Sequence, residues 1–199
     1  MIVVVETNFI LELVIEQEEA EACQEIFDLC SRRKAKLVLP AFSIAEAGAV
    51  IERRTGSRRA FIKEDLDEQL RDAFRSDVLR RYAQSLSVVK EELRKAESDE
   101  THNWTRFRSK RYTHIELTGA LLEEAAWLET MKGWRMPDAI VLASVRKYLE
   151  RLRKRDTATP ALFVSRDKDF LRAKNELQKL GCRIVVSYRD AVEIIRRQE

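Results

Sequence analysis

Four short aliphatic runs, each followed by a stretch of helical period, constrain this chain more than anything else in it. They lie at 2–5 (IVVV), 36–39 (KLVL), 161–164 (ALFV) and 183–186 (RIVV). A β-branched run such as 2–5, with no polar alternation, is the mark of a strand buried on both faces. Helical periods are predicted over 9–29, with a turn interrupting at 16–21, and over 44–53. Two more helices are predicted across 58–97. The last are 115–128, 137–153, 170–180 (ended by Gly181) and 189–196. Ser43 stands three residues before Glu46, the spacing of a capping box. Thr55–Ser57 reads as a break, and 98–113 as an irregular stretch. The order β-α-β-α, a helical excursion, then α-β-α-β-α predicts a parallel sheet covered on both sides. The fold class is therefore α/β: a three-layer α/β/α domain over 1–199, with a helical insertion at about 55–115.

Charge sharpens this reading. The chain of 199 residues is 36% charged, against an ordinary roughly 25%. Its 37 Lys and Arg nearly balance 34 Asp and Glu, so net charge alone implies no acidic partner. Three cysteines without a CxxC, and two histidines without ligand spacing, argue against a disulfide framework or a zinc site. No apolar run reaches the roughly 20 residues needed to span a bilayer. No signal peptide is read at the start, and a cytoplasmic protein is the expectation.

Acidic motifs mark the strand exits or the early turns of helices: VETNF around Glu6, SIAEA around Glu46, MPDAI around Asp138, and SRDKDF around Asp167. Each acid has a purely structural reading. Glu6 could end a strand, and Glu46 could complete a capping box. Asp138 could complement a helix dipole, and Asp167 or Asp169 could cap a helix. Together they carry more, because the C-terminal ends of parallel strands form one edge, where ligands bind. Carboxylates gathered there without basic partners repel one another unless a hard cation such as Mg²⁺ or Mn²⁺ joins them.

In order and spacing these motifs resemble the PIN-domain nucleases. Glu6-Thr7-Asn8 corresponds to the acid that follows the first strand. Glu46 corresponds to the acid on the helix after the second. Pro137-Asp138-Ala139 opens the late helix, and Ser165-Arg166-Asp167-Lys168-Asp169-Phe170 follows a later strand. One departure is Glu6, where the family usually has Asp; its carboxylate reaches one bond further, roughly 1.5 Å. The resemblance implies that Glu6, Asp138 and Asp167 hold Mg²⁺ or Mn²⁺. Glu46 joins them and orients the attacking water, and Asp169 is an alternative ligand. Thr7, Asn8 and Ser165 would fix the ligands. Products would carry 5′-phosphate and 3′-hydroxyl ends.

A positive approach surface should accompany such a site. Arg106 and Arg108, among Trp104, Phe107 and Tyr112, are one candidate, with aromatics that either stack on bases or pack as core. Trp134 and Arg135, just before Asp138, are another. Arg53, Arg54, Arg58 and Arg59 form a third cluster. A fourth, 151–155, is discounted because cations at a helix end answer its dipole.

The leading expectation is an endoribonuclease acting on single-stranded RNA, as a toxin–antitoxin toxin or a defence nuclease. Its partners would be an antitoxin protein and a second copy of the chain. The alternatives are a silent nucleic-acid-binding or scaffold module and a structure-specific DNA nuclease. A phosphatase would need a D-x-D nucleophile that Glu6-Thr7-Asn8 lacks. A nucleotide-binding fold would need a Gly-rich loop, which the five glycines do not form.

Overall fold

A computed structural model of the chain describes residues 1–197. These form two compact units: Met1–Ala47 with the chain from Lys110 on, and Gly48–Ser109. The first unit is built on a five-stranded sheet, β1 (Ile2–Val5), β2 (Lys36–Pro40), β3 (Thr113–Ile115), β4 (Ala161–Val164) and β5 (Cys182–Val185). Its order is β3-β2-β1-β4-β5, and every pairing is parallel. The three-layer α/β/α expectation is met, with one strand more than the sequence showed. β3 is only Thr-His-Ile, and the segment read as the start of a helix at 115 is its end.

In register, Val4 lies beside Val38 on one side and Phe163 on the other. Alternate residues face opposite layers. Ile2, Val4, Val38, Ala161, Phe163 and Cys182 join one core cluster with α6 (Gly119–Lys132), α7 (Met136–Arg155) and α8 (Lys174–Lys179). Val3, Val5, Leu37, Leu39 and Val164 are equally buried on the other face. α1 (Thr7–Ile15), α2 (Ala20–Ser31) and α9 (Tyr188–Arg196) pack together there, with Phe9 edge-on to Tyr188 at 5.6 Å. Burial on both faces is why the strands read as unbroken aliphatic runs.

The stretch predicted as helical from 9 to 29, with a turn at 16–21, is two helices, and the turn begins where Glu16 adopts a left-handed φ of 53. The helix predicted over 170–180 divides into a 3₁₀ segment, Lys168–Ala173, and α8. Gly181 ends it at φ 67. Arg153, one of the cations expected only to answer the dipole of its own helix, instead ties down the chain segments beyond that helix. Its guanidinium donates to the carbonyls of Leu180, Gly181, Asp156, Thr157 and Thr159 at 2.7–3.3 Å.

The second unit is built of helices, with a turn at 76–79. α3 (Ala41–Phe61) enters it and passes through Thr55-Gly56-Ser57 without the break that was read there. A π-turn at Ile62–Leu66 leads into α4 (Asp67–Arg75), and α5 (Arg80–Arg108) returns along it. α5 covers 98–108 of the stretch expected to be irregular, 98–113. Ile62, Leu66, Leu70, Ala73 and Ala83 form the seam. The helical period across 58–97 predicts an apolar side that includes Leu66 and Leu70, which are in this seam, and Phe61 and Phe74, which are about half exposed. Arg58 grips Glu100 at 2.8 Å, and Arg59 grips Glu97. Two members of the third basic cluster therefore neutralise acids on α5.

Among the described residues, no helix is long and apolar enough to cross a membrane.

Candidate active site

β1 lies between β2 and β4, and the chain leaves it first toward β2 and later returns on the β4 side. That reversal opens a crevice at the C-terminal edge of the sheet. All four carboxylates belong to elements that begin there. Glu6 directly follows β1, Glu46 is in the second turn of α3, Asp138 is the third residue of α7, and Asp167 lies three residues past β4.

Glu6 is the N-cap of α1. Its Oε2 accepts the Asn8 amide at 2.8 Å, satisfying one orphan helix donor. The other oxygen, Oε1, is buried with no hydrogen-bond partner. The side chain is only 4% exposed. Burial pushes its pKa up to about 7; the Asn8 amide and the neighbouring Ser165 hydroxyl oppose this, and the charges of Glu46 and Asp167 add to it. Asp138 is half-buried. Burial raises its pKa first, then Asp167; Arg135 opposes, and Glu46 and Asp169 contribute upward. The sheet edge thus brings Glu6, Glu46, Asp138 and Asp167 into one mutually repelling group, with Asp169 at its margin.

Neighbouring groups orient these acids. Thr7 Oγ1 donates to Glu46 Oε2. That bond replaces the capping box expected of Ser43, which lies fully buried inside α3 and caps nothing. Ser165 Oγ accepts the Asp167 amide at 3.0 Å. Asp167 Oδ1 in turn accepts the Asp169 amide at 2.8 Å, so Asp167 rather than Asp169 caps the 3₁₀ segment. Asn8 acts through its backbone.

Among the described residues, no three His, Cys, Asp or Glu side chains are disposed as a ready-made metal cage. The donor chemistry nonetheless fits a hard divalent ion. It is all carboxylate oxygen, and Glu6, Glu46 and Asp167 each use one oxygen on the protein, which leaves the other for a ligand. Oε1 of Glu6 is a buried acceptor that lacks a partner. Ions such as Mg²⁺ keep several waters, so few direct ligands are needed.

The candidate substrate groups are placed differently. Arg135, at the N-cap of α7, is exposed beside Asp138. Trp134 is 7% exposed, stacked on Phe170 at 5.8 Å, with the Arg172 guanidinium 4.5 Å over its ring. Its indole is core packing under the loop that carries Arg135. Arg106 and Arg108 are exposed on the last turn of α5, in the helical unit. Of the aromatics near them, Phe107 is buried and Trp104 lies over Gly48, within the same unit.

One pair escaped the sequence reading. Glu12, 1% exposed, binds Arg166 through Oε1 and accepts the Glu19 amide at 2.8 Å through Oε2. Arg166 also holds Glu18 at 2.8 Å. Glu19 takes Ser187 Oγ and the Tyr188 amide, each at 3.0 Å. The turn after α1, the exit of β4 and the start of α9 are thereby tied together beside Asp167. The signal was an acid inside Phe-Ile-Leu-Glu-Leu-Val-Ile, where only a paired charge is tolerated.

An acid cluster at the switch point of a parallel α/β sheet is an arrangement compatible with a nuclease-type domain. A PIN-domain family model matches residues 3–170, and the chain belongs to the PIN-domain family. No curated protein and no solved structure matches it. PIN domains are generally nucleases, hydrolases that typically use divalent metals.

Proposed function

We propose that this protein is a metal-dependent endoribonuclease that cuts single-stranded RNA at the Glu6, Glu46, Asp138 and Asp167 cluster. The observation that carries the reading is the buried, unpartnered Oε1 of Glu6 among three further acids. Such an arrangement is unfavourable unless a cation completes it. Glu6, Asp138 and Asp167 would hold Mg²⁺ or Mn²⁺, with Glu46 or Asp169 contributing through water. When bound, the ion supplies charge for the phosphodiester and a more acidic water. Thr7 fixes Glu46 so that its second oxygen can accept a proton from the attacking water. Ser165 and the Asp169 amide hold Asp167 in place. Arg135 meets the negative backbone of the substrate at the open side of Asp138. In this reading the chain is one PIN-like domain with the helical unit as an insertion. An antitoxin partner or a homodimer is consistent with its being a toxin or a defence nuclease.

The test is cleavage of labelled RNAs and single-stranded DNAs with Mn²⁺, Mg²⁺ or EDTA, wild type beside Asp138→Asn. Metal-dependent RNA cleavage, lowered at least about a hundredfold by the substitution, is the expected result. Cleavage confined to DNA would replace the substrate class. No cleavage, together with no Mn²⁺ binding by calorimetry, would refute the catalytic reading and leave a nucleic-acid-binding module.

A further inference from the structure

The carboxylates use the C-terminal edge of the sheet; the opposite edge carries a feature of its own. There the residues leading into β1, β2 and β3, with the end of α2, line an open cavity of about 460 Å³. Phe27 and Leu37 supply apolar wall, and Arg33, Lys36 and Arg111 stand at the rim. No Asp or Glu lines it. In a chain whose charges nearly balance, that is a local excess of one sign. None of these three cations forms an ion pair among the described residues. Lys110 adds a further charge, 5.7 Å over the Phe27 ring.

Two observations separate this cavity from a merely solvated edge. Arg33 has φ 62, a left-handed conformation that costs a non-glycine residue roughly 1–2 kcal/mol. A glycine would relieve the strain, yet the chain places a guanidinium there. The cations also do more than answer the α2 dipole. The carbonyls of Asp28, Leu29 and Cys30 already accept the amides of Arg32, Lys34 and Arg33. Lys36 and Arg111 come from other segments.

We propose that this cavity is a second ligand site, which takes a nucleotide: phosphate against Arg33, Lys36 and Arg111, base or sugar against the Phe27–Leu37 wall. The volume exceeds what inorganic phosphate fills and lies in the range of small-ligand pockets, roughly 300–1,000 Å³. The phosphate belongs either to a free nucleoside monophosphate or to a polynucleotide chain. The proposal is independent of the nuclease reading, because the site lies at the other edge of the sheet and needs no metal.

The experiment is calorimetric titration of the full chain in EDTA with inorganic phosphate, adenosine monophosphate and a short oligoribonucleotide. Wild type is compared with Lys36→Glu/Arg111→Glu and with Arg71→Glu/Arg75→Glu on α4, which makes the same change in net charge. The side chains are exposed, so matching melting temperatures establish that all three proteins are folded. Saturable binding of the monophosphate, weakened at least about tenfold in the first variant and unchanged in the second, is the expected result. Binding of the oligonucleotide alone, with the same loss, supports the site and assigns the phosphate to a polynucleotide. Inorganic phosphate binding as tightly as the nucleotide overturns the assignment of the apolar wall. Equal effects in both variants, or no binding of any ligand, overturn the site.

Discussion

Glu6→Gln isolates what burying this carboxylate among other acids does to the fold. The group titrates near 4.5 when free and at about 7 in the native protein. Between those values the native state keeps a proton that the unfolded state has lost. The group's favourable contribution is therefore fully present below pH 4.5 and lost as pH rises through 7. At about 1.4 kcal/mol per pK unit, the interval corresponds to about 3 kcal/mol. Water entry and relaxation of the neighbouring acids make that an upper figure. Glutamine presents the uncharged form at every pH, and its carbonyl can keep the Asn8 amide bonded. The two proteins should differ little at pH 5. At pH 8, without divalent ions, the variant should be the more stable by up to about 3 kcal/mol, or about 6–12 °C in melting temperature.

Urea unfolding at a series of pH values in EDTA reads this directly. Subtracting the wild-type curve from that of the variant removes titrations common to both. Adding Mn²⁺ at pH 8 should then stabilise wild type by mass action and leave the variant nearly unmoved. A stability difference that is flat from pH 5 to pH 8 would refute the claim that burial holds the Glu6 proton. So would a variant that is less stable at pH 8.

Glu6→Asp should keep the α1 cap but withdraw the carboxylate by roughly 1.5 Å, which lowers Mn²⁺ affinity about tenfold by calorimetry. Tighter binding would show that the longer arm detunes the site. Arg166→Met leaves Glu12 buried without its counter-charge and should cost about 2–4 kcal/mol by urea midpoint. Adding Glu12→Gln should recover most of the loss, and no recovery would sink the pairing. Arg153→Lys replaces a five-contact fork with a single ammonium and should cost about 1–2 kcal/mol. Unchanged stability would show that those carbonyls are equally well served by water. Gly133→Ala meets no atom within 4 Å, so only its φ of 63 matters. A cost of about 1 kcal/mol in thermal melts is expected, and a neutral result would mean that the turn relaxes.

Strands β1 and β4 were legible because residues buried on both faces leave no alternation to misread. β3 was not, since Thr113-His114-Ile115 is a strand only through its pairing with β2. The helical unit misled for a different reason. Thr55-Gly56-Ser57 has the composition of a break, and 98–108 that of a loop. Both are helical where the ion pairs Arg58–Glu100 and Arg59–Glu97 bind α3 to α5. Gly48 leaves room for Trp104, whose ring would stand 3.3 Å from an added Cβ. Tertiary contacts of this kind outweigh a propensity of a few tenths of a kcal/mol per residue.

The candidate site shows the same division between what is local and what is not. That acids stand at strand exits and helix starts is a property of short motifs, and the motifs could be read. Which of their oxygens is already engaged is a property of the packed molecule. Thr7 binds Glu46 across 39 positions, and Arg166 answers Glu12 across 154. The second fact bears on the first. An arginine between Ser165 and Asp167 is well placed in sequence to neutralise the cluster, and in the fold it is committed to Glu12 and Glu18 instead. Asp138 therefore has Arg135, an exposed side chain, as the cation that lowers its pKa, while burial, Asp167 and Glu46 push it upward.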